Sequence, residues 1–254
     1  MSITYYPKDK QGHGAFNGGE ITENKPIGFP QDRGELKPYS NLFYWAKAIA
    51  HTESTIGIHP HQGFEIASFV LEGAISHYDT KQKQWIDLQA GDVQIIRAGS
   101  GISHSERMYK GAIMFQIWFD PNLQQTLNQP ASYSDYKSHQ FPTTTQGKRH
   151  IRHIVGAASP FEMDSPEIEI QEWSFSNDSW KEALNPNKIY SLYVLKGCIQ
   201  VGNQVLNPDD FCLISQESQI TIASPDTAKL FLIASPKSLS YPTYTEILQK
   251  RMRY

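Results

Sequence analysis

The chain has 254 residues, of which 39% are hydrophobic, 12% aromatic and 19% charged, a composition that can bury a sizeable core and that excludes an intrinsically disordered chain. Its formal charge is −3, so the basic excess that a phosphate backbone demands is missing and direct nucleic-acid binding is not expected. Apolar runs such as residues 113–119 fall far short of the ~20 residues that cross a bilayer, and residues 1–6 carry no signal-peptide core, so a soluble, cytoplasmic protein without membrane contact is expected.

In chain order, strand-like segments rich in β-branched and aromatic residues fall at residues 69–71, 92–96, 113–119, 189–195, 211–214 and 230–233. Gly, Asp, Asn and Pro punctuate them. Many short strands with such turns predict a sandwich or barrel instead of alternating βα units. Ahead of the first of these segments stands His59-Pro60-His61. Residues two apart on a strand share a face, so both imidazoles can point into a barrel. His104-Ser105-Glu106 repeats that spacing. Two such pairs on neighbouring strands would converge three nitrogens and one carboxylate oxygen, a donor set suited to Fe, Mn, Co, Ni, Cu or Zn. In an octahedral site two positions would stay open. Gly63, Gly73, Gly91-Asp92 and Gly99-Ser100-Gly101 supply tight turns around these pairs. Phe64, Phe69, Met114, Phe115 and Trp118 are candidates either for barrel core or for the wall of a pocket that takes a flat ligand.

Residues 121–149 are rich in polar residues, Tyr and Pro without a sustained apolar period, and the domain boundary is placed there. The two expected domains are 1–135 and 136–254. A repeat supports the division: Phe69-Val-Leu-Glu-Gly73 matches Tyr193-Val-Leu-Lys-Gly197, and residues 88–96 match 206–214, so one hairpin recurs in two related barrels. Aligning Gly73 with Gly197 sets Ala183 opposite His59 and Asn185 opposite His61. No His follows Phe211, so only the first barrel is expected to hold metal. Cys198 and Cys212 form no CxxC pair and read as two buried free thiols. His13, His51, His77, His139, His150 and His153 read as surface or structural residues, with His77 facing solvent or a neighbouring strand. Residues 245–254 read as a short helix with Ile247, Leu248 and Met252 on one face.

Taken together, Gly57-Ile-His-Pro-His-Gln-Gly-Phe-Glu-Ile66, Val70-Leu-Glu-Gly73, Ala90-Gly-Asp-Val-Gln94 and Ala98-Gly-Ser-Gly-Ile-Ser-His-Ser-Glu106 resemble the pirin family in order and spacing. The resemblance covers roughly residues 57–120 and continues more weakly through the second repeat. It implies an all-β fold of two tandem cupin barrels of the jelly-roll, or double-stranded β-helix, type. It also implies one divalent transition metal, Fe foremost and Mn, Co, Ni, Cu or Zn also compatible, held by His59, His61, His104 and Glu106. Ordinary metal cupins take a ligand at the spacing of Glu65. The pirin pattern assigns the carboxylate to Glu106, leaving Glu65 to hydrogen-bond a ligand or line the pocket. The activity implied is that of a metal-dependent dioxygenase of the quercetin 2,3-dioxygenase type, acting on a small aromatic flavonol with O2, with Glu106 doubling as the base that removes the substrate proton. Two alternatives stand beside it: a non-catalytic, metal- or redox-dependent regulatory or protein-binding module, and a cupin isomerase or sugar-binding barrel.

Overall fold

The structure, a computed structural model, describes residues 2–156 and 158–252. Among them the first half of the chain forms β1 (Ser2–Tyr6), β2 (Gly12–Phe16), β3 (Ile21–Ile27), β4 (Leu42–Ala50), β5 (Ser54–His61), β6 (Glu65–Glu72), β7 (Ala74–Asp79), β8 (Trp85–Gln89), β9 (Val93–Arg97), β10 (Ile102–Met108), β11 (Ile113–Phe119) and β12 (Ser132–Tyr136). The second half forms β13 (Thr143–Gln146), β14 (Arg149–Val155), β15 (Glu169–Ala183), β16 (Lys188–Lys196), β17 (Ile199–Val201), β18 (Gln204–Leu206), β19 (Phe211–Ser215) and β20 (Gln219–Pro236). Helices are confined to α1 (Leu123–Thr126), α2 (Tyr244–Arg251) and short 3-10 turns. The all-β expectation holds, and no described helix is long and apolar enough to cross a membrane.

The chain divides into two compact units. One contains residues 11–138, 163–166 and 239–252. In it, β12-β9-β6-β11-β4-β3-β2 make a seven-stranded sheet and β5-β10-β7-β8 a four-stranded sheet among the described residues. Ile75, Leu88 and Met108 from the smaller sheet pack with Ile21, Ala48, Val70 and Met114 from the larger, which closes the two layers over one core. Each of these buried Ile, Leu, Val and Met side chains contributes about 1.5–3 kcal/mol. Strand order follows composition: the apolar stretches of β6, β9 and β11 lie inside the large sheet, whereas β5, interrupted by Pro60, lies at an edge where a missing N–H is tolerated. α2 is capped by Thr243 and Glu246, each side chain bonding the other's backbone N–H. Tyr244 packs edge-on against Phe43 and Phe64, while Met252, expected on one face with Ile247 and Leu248, is 78% exposed. Residues 253 and 254 of the expected helix lie outside the described residues.

The other unit contains residues 2–10, 139–156, 158–162 and 167–238. Its sheet runs β1-β19-β16-β20-β15-β14-β13, with β17 paired to β20 and β18 to β17. The long β15 and β20 pair along almost their whole length and carry much of the core, including Trp173, Phe175, Ile220, Ile222 and Leu230. The sequence repeat is also a backbone repeat. Gly73 has φ 69° and Gly197 φ 72°; a Cβ would stand 3.0 Å from the Ala112 Cα in the first and 2.4 Å from the Thr227 oxygen in the second. Only glycine suits either turn. Cys212 is buried as expected; Cys198, at the turn after Gly197, is exposed, which corrects the reading of two buried thiols.

Candidate metal centre

β5 and β10 pair antiparallel with His104 directly opposite His59 and Ile102 opposite His61. The i, i+2 rule then brings His59, His61 and His104 onto one face. Their ring centroids are 4.8 Å (His59–His61), 4.4 Å (His59–His104) and 4.7 Å (His61–His104) apart. One ligand nitrogen from each lies within 4.8 Å of the other two, a group that can hold a metal ion. His61 Nε2 and His104 Nε2 are 2.9 Å apart. Two nitrogens bound at right angles to one ion, at the about 2.0–2.1 Å typical of zinc, would be separated by about 2.9 Å. The residues present therefore fit a divalent ion.

The electrostatics agree. His61 and His104 are each pushed down to about 3, first by burial and then by the neighbouring imidazoles, so both are neutral near pH 7. His59 Nδ1 lies 2.7 Å from the Gly57 oxygen, which orients Nδ1–H outward and turns the Nε2 lone pair toward the cluster. His104 Nδ1 is buried without a hydrogen-bond partner, so the polar contacts of that ring run through Nε2.

Glu106 follows on β10 after a bulge that sets it opposite Ile56. It is 1% exposed and is not one of the three clustered ligand atoms. Ser68 Oγ donates to its Oε1 at 3.1 Å and Gln116 Nε2 to its Oε2 at 2.5 Å. Gln116 Oε1 in turn accepts from Trp118 Nε1 at 3.1 Å, and the Trp118 ring stands edge-on to His61 at 4.8 Å. The carboxylate is thus held by neighbours from β6 and β11, and its charge raises the proton affinity of His61 against the stronger downward causes.

Glu65 has another task. Both its oxygens are used, accepting the backbone N–H groups of Asp164 at 2.6 Å and Ser165 at 2.8 Å, with Arg97 Nε 3.8 Å away. It fastens residues 163–166, and neither hydrogen-bonds a histidine nor lines the cluster.

Sequence reasoning missed His77. It is 0% exposed, its Nε2 is 2.8 Å from Asp79 Oδ2, its ring stacks on Tyr133 at 4.6 Å, and its centroid is 5.7 Å from that of His104. Gln94 Nε2 approaches its Nδ1 at 3.4 Å, and Tyr133 donates to Gln94 Oε1. Alternation through buried Ile75 places His77 and Asp79 on the inward face, so the signal was the same one that found His59 and His61. His13, His51, His139 and His150 are exposed. Of the aromatic candidates, Trp118 adjoins the cluster, Phe64 packs against Trp118 within the core, Phe69 and Phe115 are buried core and Met114 packs with Ile21 and Ala48.

Comparison with known proteins follows the same lines. The Pirin family model matches residues 24–119. A pirin-like protein of Caulobacter vibrioides is 30% identical over 184 residues, covering 69% of this chain and 75% of that protein. The quercetin 2,3-dioxygenase of Escherichia coli (strain K12) is 26% identical over 185 residues, covering 71% of this chain and 76% of that protein. Among solved structures, the bacterial pirin YhhW of Escherichia coli, in complex with nickel(II), superposes with a TM-score of 0.77 at 21% identity over 93% of this chain and 100% of that one. At that identity the likeness shows the fold, an all-β cupin architecture.

Proposed function

Since the chain belongs to the pirin family, we propose that His59, His61, His104 and Glu106 hold one divalent transition metal, Fe foremost, in a dioxygenase of the quercetinase type that acts on flavonol-like substrates with O2. The observation that carries this reading is the convergence of three imidazoles with two Nε2 atoms 2.9 Å apart. When bound, such an ion supplies Lewis acidity toward a flavonol oxygen and a shared site that aligns the substrate with dioxygen.

The chain's own residues do the rest. His59, turned by the Gly57 carbonyl, and the neutral rings of His61 and His104 present lone pairs inward. Ser68 and Gln116 occupy two of the roughly four lone-pair sites of the Glu106 carboxylate, leaving the others for the ion or for the proton of a substrate hydroxyl. Trp118, with Phe64 packed against it, offers apolar aromatic surface beside His61 for an aromatic ring.

The test is an oxygen-electrode measurement with a flavonol and protein loaded in turn with Fe, Mn, Co or Ni. Oxygen uptake that depends on both metal and flavonol is the expected result. No uptake with any of the metals, from protein shown to carry them, overturns the dioxygenase reading and favours the regulatory module.

A further inference from the structure

The second barrel repeats the strand pairing of the first, so its residues can be matched to those of the metal centre through their partners. In the first barrel Ser68 lies opposite Gln116 and Gln94, and Glu106 opposite His77. In the second, Leu192 lies opposite Leu232 and Cys212, and Ile222 opposite Val201. Leu192 thus stands in place of Ser68, Leu232 of Gln116, Cys212 of Gln94 and Ile222 of Glu106. Two residues back along its strand, Ile220 takes the place of His104. By the same register Trp118, opposite Ile66, becomes Ala234, opposite Tyr190.

The strand of His59 differs by one residue. In the first barrel a bulge lets His104 face His59 while Glu106 faces Ile56; in the second, Ile220 faces Glu182 and Ile222 faces Trp180 with no bulge between them. Counting from Gly197 gave Ala183 and Asn185 as the counterparts of His59 and His61. Pairing corrects them to Glu182 and Leu184.

These replacements leave the space open. A cavity of ≈120 Å³ remains, walled by Leu192, Ile214, Ile220, Ile222 and Leu232 with Trp173 beside them. Loss of an indole at Ala234 helps keep it hollow. Its charged lining is already paired. Glu182 receives Arg149, whose guanidinium lies 4.7 Å from the Trp173 ring and 4.5 Å from the Trp180 ring, and Glu169 is 2.5 Å from Lys188 Nζ. Gln171 Oε1 accepts from Trp173 Nε1 at 2.7 Å. At the rim the Tyr190 hydroxyl accepts the Asn185 N–H at 2.7 Å and still has its own proton to donate.

A charged guest would lose its hydration here for little return, and the volume, about four fifths of the roughly 150 Å³ apolar cavity that accepts benzene, limits a guest to a single ring that reaches into the open rim. We infer that the second barrel binds a compact, uncharged, monocyclic aromatic molecule, ring against the aliphatic walls and Trp173, with any oxygen acceptor directed at the Tyr190 hydroxyl. Three of the four ligand positions have become hydrocarbon, Leu184, Ile220 and Ile222, and the fourth, Glu182, is neutralised by Arg149. The inference does not depend on metal in the first barrel.

The full chain is titrated with toluene and with phenol by ligand-observed NMR and thermal shift. Both are expected to bind with millimolar or tighter dissociation constants and to show intermolecular NOEs to the methyl groups of Leu192 and Ile222. Ala234→Leu, or Ile222→Phe from the opposite wall, refills the space and is expected to weaken both probes at least tenfold, with near-UV circular dichroism and metal content unchanged. Absence of binding by the unaltered chain overturns the inference. So do NOEs confined to methyls elsewhere, or affinity kept within twofold in either folded variant.

Discussion

Glu65→Gln tests whether Glu65 fastens backbone or binds metal. The carboxylate accepts Asp164 N–H at 2.6 Å and Ser165 N–H at 2.8 Å, one bond to each oxygen. Gln keeps the size and one of the acceptors but turns an NH2 group toward the other amide, leaving a buried donor unpaired at about 1–3 kcal/mol. Relief acts in the opposite direction, because burial holds the Glu65 carboxyl above its ordinary range and a neutral amide escapes that cost. The net loss is then about 1–2 kcal/mol, and with about 2–4 °C per kcal/mol for a domain of this size Tm falls by about 2–8 °C. Glu65→Ala removes both acceptors and leaves a void, raising the loss to about 3–5 kcal/mol. Metal content stays at the level of the unaltered protein in both. Melting curves by circular dichroism and elemental analysis on the same samples give both readouts. A Glu65→Gln protein that melts normally but has lost its metal would refute the clamp and return Glu65 to the ligand set.

His59→Ala and His104→Ala are each expected to abolish tight metal binding with far-UV circular dichroism preserved, and full occupancy in either would show the ligand assignment to be wrong. Gln116→Leu withdraws a donor from Glu106 and the acceptor from Trp118 Nε1; metal affinity should drop about 10- to 100-fold, and an unchanged titration would dismiss the orienting role. Asp120, whose Oδ2 accepts the Tyr244 N–H at 2.6 Å at the start of α2, is raised from 3.8 to about 7, chiefly by burial. A raised folded-state value means stability that is fully present below about pH 4 and lost as pH climbs through about 7. The Tm difference between the unaltered protein and Asp120→Asn should therefore move in favour of the former as pH falls from 7 to 4, and parallel curves would contradict it.

The strands were legible because β-branched and aromatic runs between turn residues have few other uses: the segments read at 69–71 and 113–119 lie in strands of the first unit, and the one read at 92–96 does so from Val93 onward. The histidine cluster was legible because alternation is a local rule: His59, His61 and His104 needed only the pairing of two strands to meet. What escaped depended on long-range register. Glu65 is claimed by amides about 100 residues away, which no local spacing reveals. His77 was set aside although Ile75 marks its face. The Glu182 and Leu184 counterparts were missed because a one-residue bulge exists only as a relation between two strands, and a count along one strand passes over it.

Pro60, between two of the clustered histidines, bears on how molecules of this protein behave toward one another. Ser103, its partner on β10, directs its own N–H to Thr80 Oγ1 and its carbonyl to the Thr80 N–H, away from Pro60. Pro60 therefore belongs to a non-hydrogen-bonded pair, and its ring nitrogen interrupts the outward row of donors on that edge. A strand from another copy arriving there would find a gap where it needs a hydrogen. The approach to the cluster is thereby guarded against sheet-to-sheet self-association, a hazard that would otherwise threaten a binding strand left uncovered at the rim of its sheet.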